Sequence, residues 1–320
     1  MNVLITGGAG FIGSHFIHHI LGKYENYHVV NVDRLTYASN LSNVAKFEHH
    51  PHYTFIKSNI ENKDLMNHIV KSYNIDIIVN FAAETHVDRS IHDSSIFVKT
   101  NVLGTQTLLN VALENNIRKF IQISTDEVYG ALGDHGYFTE TTPLSPKNPY
   151  SASKASADHL VLAYHSTYGI PVNITRCSNN YGPHQFPEKL IPKLILNTLK
   201  EKKLPIYGDG KNVRDWIHVS DHCVAIDLII HQGKSGEIFN IGSHNERSNL
   251  EIAEFIIEKL GKSKDLITYV QDRLGHDHRY AIDAAKITED LNWKPHITFE
   301  KGIEDTIQWY VKNKDWLKGN

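Results

Sequence analysis

Apolar residues enter this chain in short β-branched runs, separated by longer stretches in which they recur every three to four positions. The runs at 3–6, 28–32, 53–57, 76–81, 120–124 and 172–175 read as strands. The stretches at 11–22, 63–73, 94–115 and 149–168 read as amphipathic helices. Alternation of this kind predicts repeated βα units and a doubly wound parallel sheet. The last of these helices carries its own end signals, with Asn148 as cap, Pro149 at the first position and Gly169 as the stop. Residues 131–148, rich in Gly, Pro and Thr, form a loop long enough to be functional. After Tyr181-Gly182-Pro183 the elements become shorter and mixed, with helical patterns at 187–200, 220–231, 250–260 and 299–312. A smaller C-terminal α/β substrate domain is expected there, interleaved with returns to the main sheet.

Composition narrows the class. At 320 residues the chain can form one large or two intimately joined domains, and 41% hydrophobic with 22% charged residues suits a globular protein. A formal charge of −3 leaves no basic field for nucleic acid or an anionic membrane. Two cysteines, Cys177 and Cys223, exclude a disulfide framework. No apolar run reaches the ~18 residues of a membrane span. The opening Asn2-Val3-Leu4-Ile5 lacks the charged region of a secretory leader, so a reducing, cytoplasmic setting is expected. Twenty-one histidines raise the question of a metal, yet neither His15, His18 and His19 nor His49, His50 and His52 have a partner at ligand spacing. They are expected to be packing or solvated side chains, and no metal is expected.

Gly7-Gly8-Ala9-Gly10-Phe11-Ile12-Gly13 follows the first strand and opens the first helix. Glycines there let the backbone approach a pyrophosphate, and the helix N-terminus offers it unpaired N–H donors. A Rossmann-type domain over 1–182 is therefore expected, with 212–242 returning to it and 183–320 mainly forming the substrate domain. Gly7, Gly10, Phe11, Ile12 and Gly13 are the candidate dinucleotide contacts. Asp33 ends the second strand about 20 residues on, where a carboxylate accepts hydrogen bonds from the adenosine ribose and favours NAD over NADP. Arg34 beside it pulls the other way, since an arginine accommodates a 2′-phosphate; Leu35 and Thr36 complete that stretch. Asn59 and Ile60 are placed at the adenine, and Phe81, Ala82 and Ala83 along the pyrophosphate and ribose. The Ala82-Ala83 pair also serves close helix–sheet packing.

Tyr150 and Lys154 stand four apart on one helix face, the spacing for a phenol assisted by an ammonium. A free phenol titrates near ~10, so poising it near neutrality takes roughly 4 kcal/mol, available from the ammonium and a positive nicotinamide. Thr125-Asp126-Glu127 lies at the carboxyl end of the fifth strand, where open α/β sheets place ligands. Two adjacent carboxyl groups push each other's pKa apart, leaving one as acid and one as base. Alcohol oxidation beside an acid–base pair points to a dehydratase rather than a plain dehydrogenase.

These motifs, with Ala82–Ser90, Arg176–Pro183, Gly208–Trp216 and Asp272–Asp283, make the chain resemble the dTDP-glucose 4,6-dehydratases, a family of extended short-chain dehydrogenases/reductases. The resemblance covers essentially the full length, and the Thr-Asp-Glu triplet carries it most specifically. It implies bound NAD, a dTDP-glucose substrate, a homodimer and a part in deoxysugar (rhamnose-type) synthesis. It places Thr85 and Thr125 at the sugar, Thr100 and Asn180 at the cofactor, and Asn179 at the substrate. It places Lys189, Leu190, Pro205, Ile206, Tyr207, Arg214, Asn249, Asp272, Arg273 and His276 around the nucleotide diphosphate. Asn59, Leu274 and His278 depart from the family pattern. The neighbouring alternatives are another NAD-dependent sugar-nucleotide 4,6-dehydratase or a sugar-nucleotide 4-epimerase of the same fold, the epimerase having no need of both acids.

Overall fold

The structure is a computed structural model and describes residues 1–272, 276–314 and 316. Six strands, β1 (Asn2–Thr6), β2 (His28–Asp33), β3 (Tyr53–Lys57), β4 (Ile77–Asn80), β5 (Lys119–Thr125) and β6 (Val172–Cys177), follow the apolar runs closely. Six further strands come later: β7 (Asn179–Tyr181), β8 (Leu204–Tyr207), β9 (Val213–His218), β10 (Ile238–Ile241), β11 (Glu246–Ser248) and β12 (Ile267–Val270). The main sheet has the order β10-β6-β5-β4-β1-β2-β3, and every pairing in it is parallel. The chain winds outward from β1 to β3, then restarts with β4 on the other side of β1. A crevice opens at the carboxyl ends where the winding reverses.

The helices are α1 (Phe11–Lys23), α2 (Lys63–Ser72), α3 (Val87–His92), α4 (Ser95–Phe97), α5 (Thr105–Glu114), α6 (Pro149–Tyr168), α7 (Leu190–Leu199), α8 (Val219–Gln232), α9 (Asn249–Lys259), α10 (Ala285–Leu291) and α11 (Phe299–Lys312). Strand alternation divides β1 between two cores. Val3 and Ile5 pack with Phe16 and Ile17 of α1 and Ile226 of α8, while Leu4 packs with Met66 of α2, Leu108 of α5 and Val161 of α6. A third core lies around Tyr181 and Trp216, under α7, α9 and α11. There β7 and β9 pair in parallel, β11 joins β9 antiparallel, and β8 pairs with β12.

One helix differs from its pattern. The stretch 94–115 is divided by a π-helical segment, Val98–Gly104, between α4 and α5. The wide turn carries Asn101 in the interior. Its Nδ2 donates to Glu84 O (3.0 Å) and Ser153 Oγ (2.8 Å), and its Oδ1 accepts from Glu84 N (2.9 Å). The segment after β4 is thereby fixed to α6. Likewise α7 starts at Leu190, not at 187, because Lys189 is extended and reaches Thr85 O at 2.7 Å. Loop 131–148 is pinned by Leu132 N to Arg279 O (3.0 Å) and Phe138 N to Ala281 O (2.9 Å).

The histidine-rich face of α1 packs against several elements. His15 Nε2 meets Pro183 O at 2.9 Å, His18 Nε2 meets Asn43 O at 2.8 Å, and His19 Nε2 meets Asp227 Oδ2 at 2.8 Å. Among the described residues no group of three or more His, Cys, Asp or Glu is placed to hold a metal ion.

Asp227 on α8 also takes Lys23 at 2.6 Å and Tyr24 OH at 3.0 Å, joining α1 to α8. Burial opposes its charge, but the bonds from His19, Lys23 and Tyr24 win and hold the carboxyl at about 2. A depressed carboxyl stabilises the fold above its ordinary value and loses that contribution as pH falls through the folded value. Asp227→Asn is therefore expected to lower stability at neutral pH by roughly 2–3 kcal/mol, less than for a wholly buried pair because Lys23 is half-exposed. Urea unfolding should show this gap closing as pH falls from 3.8 to about 2.

Candidate active site

The glycine loop is shaped by close approach. Gly7 has φ +70°, and a Cβ there would stand 2.7 Å from Ala82 N; one on Gly13 would stand 2.4 Å from Gly7 O. Strand, loop and helix are thus packed too tightly for side chains, and α1 opens from Gly10, which has no side chain to cap it. Its first amides have no carbonyl ahead of them in the helix and face the crevice, the arrangement a pyrophosphate needs. Gly7, Gly10, Phe11, Ile12 and Gly13 all line this cleft. Asp33 is fixed at its far end, accepting from Ala9 N (3.0 Å), Leu35 N (2.7 Å) and Ser39 Oγ (3.0 Å). Arg34, Thr36, Asn59, Ile60, Phe81, Ala82, Ala83, Thr85, Thr100, Asn179 and Asn180 line the same cleft. Leu35 does not. In left-handed backbone at φ 57°, it turns its N–H back to Asp33. A side-chain-free cradle ending in a fixed carboxylate fits NAD.

The reacting groups meet at the cleft's inner end, where Thr125, Asp126, Glu127, Tyr150 and Lys154 line it together. Thr125 ends β5 and caps a 3₁₀ turn over Asp126–Tyr129, accepting from Glu127 N at 3.3 Å. Helix α6 begins in a reciprocal Asn148/Ser151 capping box, and Ser90 Oγ accepts from Tyr150 N at 3.1 Å. Lys154 is buried and donates to Ile123 O at 2.6 Å. Burial lowers its pKa, opposed by Asp158 four residues on.

Electrostatics separates the two acids. Asp126 is 1% exposed, and its Oδ2 is buried without a hydrogen-bond partner. Burial, then Glu127 and Asp215, push its pKa well above the carboxylate range, against Arg214. The protonated form of Asp126 is therefore favoured relative to an ordinary carboxyl, and its second oxygen has no hydrogen-bond partner in the protein. Carboxylate repulsion is the pattern expected from the adjacent pair, but burial is the larger cause. Tyr150 departs from expectation. In the protein alone, burial and the charge of Glu127 push its phenol up, against a hydrogen bond with Thr125. A positive charge arriving beside it is needed to bring it down.

A second compartment adjoins the first and shares Glu127, Asn179, Glu188 and Lys189 with it. Leu190, Pro205, Ile206, Tyr207, Arg214, Asn249 and His276 line it. Arg214 is held by Asp277 O at 2.9 Å and lies 4.2 Å from the Tyr280 ring centroid, which aims its guanidinium. Asp272 does not line the compartment; it pairs with His276 at 2.6 Å behind it. Arg273 and Leu274 lie outside the described residues. Sequence reasoning missed Cys177 and Ser178 at the cleft, and Glu188, Trp216, Asp277 and Tyr280 at or between the compartments. The first two directly follow or end a parallel strand, a position that marks ligand contacts without any motif.

A glycine cradle, a Tyr/Lys pair and an acid pair at the carboxyl ends of the sheet, opening into a second compartment that presents Arg214, Lys189 and Lys193, define a dinucleotide-dependent enzyme of sugar nucleotides. The family model described as GDP-mannose 4,6 dehydratase matches residues 4–306, and the chain belongs to that family. It is 48% identical over 334 residues to a dTDP-glucose 4,6-dehydratase of Xanthomonas campestris pv. campestris, covering 99% of this chain and 95% of the relative. Among solved structures it resembles the dTDP-glucose 4,6-dehydratase of Bacillus anthracis in complex with NAD, at 54% identity and TM-score 0.94, covering 99% of both chains. It also resembles the dTDP-glucose 4,6-dehydratase DesIV of Streptomyces venezuelae, which has NAD bound, at 45% identity and TM-score 0.96, covering 99% of this chain and 98% of that one.

Proposed function

We infer that the protein is an NAD-dependent dTDP-glucose 4,6-dehydratase, releasing water and forming dTDP-4-keto-6-deoxy-glucose. The observation that carries this reading over a 4-epimerase is the buried Asp126, its Oδ2 without a hydrogen-bond partner and its pKa raised by that burial, placed beside Glu127 and the Tyr150/Lys154 pair. Only an elimination needs that acid.

When bound, NAD supplies a reversible acceptor that takes a hydride from sugar C4 and gives it back at C6, so it is regenerated each turnover. Tyr150 accepts the proton of the C4 hydroxyl, and Lys154 stabilises the phenolate electrostatically. Thr125 orients the C4 oxygen. The 4-ketone acidifies C5, and Glu127 removes that proton. Asp126 delivers its own proton to the C6 hydroxyl, which leaves as water, and C5 is then reprotonated from Glu127. Arg214 and Lys189 hold the diphosphate through charge-assisted hydrogen bonds. Residues 1–182 with the return at β10 serve as the cofactor domain, and 183–320 mainly as the sugar-nucleotide domain.

Incubation with dTDP-glucose and with UDP-glucose, followed by the alkali-induced absorbance of a 4-keto sugar, tests the reading. Formation of a C4 epimer with no keto product would reject it. Stripped protein should regain activity with NAD⁺ rather than NADP⁺, because Asp33 would repel a 2′-phosphate.

The proposal extends to a homodimer working in cytoplasmic deoxysugar synthesis of the rhamnose type. Val98 and Leu103, half-exposed on the π-helical segment, are apolar side chains that a second copy would cover. Light scattering should give twice the chain mass, and Val98→Asp with Leu103→Asp should give the single mass. A monomeric parent protein would rule the dimer out.

A further inference from the structure

The 3₁₀ turn that carries the acid pair is fastened from below by the side chain at its end. Tyr129 is buried, with its ring stacked on Phe138 at 5.0 Å between centroids. Its hydroxyl donates to Asn240 Oδ1 on β10 at 2.7 Å and accepts from Arg176 Nη1 on β6 at 3.0 Å. Arg176 Nε in turn donates to Asp158 Oδ2 on α6 at 2.9 Å. Asp158 stands one helical turn beyond Lys154 and two beyond Tyr150. A continuous buried chain of polar groups thus runs from the helix of the Tyr/Lys pair to the turn of the acid pair.

The two halves of the site differ in how they are held. Tyr150 and Lys154 have local fastenings of their own: the Asn148/Ser151 box, Ser90 Oγ and Ile123 O. The acid turn has Thr125 at its start and the Ser145 N–H on Val128 O (3.0 Å) near its end, a further side-chain anchor is the Tyr129 hydroxyl, and Asp126 Oδ2 must stay free for substrate. We propose that the Tyr129 hydroxyl, held between Arg176 and Asn240, is a positioning group for elimination. It sets Asp126 and Glu127 at the proper distance from the oxidised sugar, while Tyr150 and Lys154 keep their own fastenings on α6. The inference rests on the dehydratase reading of the acid pair.

Tyr129→Phe keeps the ring against Phe138 and removes the tether. Oxidation of C4, read as the single-turnover rise of reduced cofactor, should keep its wild-type rate. Turnover and exchange of the C5 hydrogen with deuterated solvent should both fall roughly 10- to 100-fold, the cost of a small misplacement of a catalytic group. Reduced cofactor should consequently accumulate. Asn240→Ala, which removes one tether and leaves Arg176, should move the same ratio in the same direction by less. If Tyr129→Phe slows oxidation and exchange equally, or neither, the network is a core fastening only and the inference is wrong. Wild-type protein that oxidises dTDP-glucose without C5 exchange would instead overturn the dehydratase reading, and the inference with it.

Discussion

Asp126→Asn is expected to halt the protein midway through its reaction. The amide fills the same buried space but has no proton to give the departing C6 hydroxyl, while Tyr150, Lys154 and the glycine cradle are untouched. C4 oxidation should proceed, reduced cofactor should build up on the enzyme, and turnover should fall by the ~10²–10⁴-fold typical of a lost general acid. Glu127→Gln should also oxidise, but it should lose C5 hydrogen exchange with deuterated solvent. The pH dependence follows from the sign of the Asp126 shift. Its raised pKa keeps the acid form present to higher pH than in an ordinary carboxyl, so dehydration should persist through the usual carboxylate range and decline as pH rises beyond it. Near-wild-type dehydration by both variants would remove the basis for assigning the acid pair.

Tyr150→Phe is expected to give the other large loss, at the first step. The ring remains packed at the inner end of the cleft, with Phe97 at 6.4 Å, so nucleotide and cofactor binding should change little. Without the phenolic oxygen no group takes the C4 proton, and a fall of ~10²–10⁴-fold in single-turnover reduction of the cofactor is expected. Because burial and Glu127 hold the phenol up in the protein alone, the same variant reports on coupling to the cofactor. A titration of wild-type Tyr150 should move downward when NAD⁺ is added. A normal oxidation rate in Tyr150→Phe would transfer the proton-accepting role to another residue.

What the sequence disclosed depended on how local each determinant is. The first six strands were readable because both sheet faces are covered, which leaves near-continuous apolar runs such as Val3-Leu4-Ile5. Helix α6 was readable because Asn148 and Pro149 stand at its start and Gly169, at φ 72°, directly after its end. The π-helical segment was not, since one wide turn shifts the apolar stripe without adding a punctuating residue, and Asn101 explains itself only beside Glu84 and Ser153. Strands β7 to β12 run three to six residues and take their partners from distant segments. The acid pair was legible as chemistry, but the burial that raises the Asp126 pKa belongs to tertiary packing. The aiming of Arg214 by Tyr280 and Asp277 likewise joins segments more than sixty residues apart.

The place of β10 at the end of the main sheet has a consequence for biosynthesis. Strand β6 leaves the ribosome long before Ile238–Ile241, so a nascent chain carries β6 with one open edge through more than sixty residues of elongation. Unpaired amides and carbonyls on an apolar strand form a template for joining another chain. A product that ends before β10 would retain that edge and should aggregate, however well its glycine loop had formed. Asn240 sits in the same late strand, so the polypeptide that closes the sheet also brings the group that tethers Tyr129.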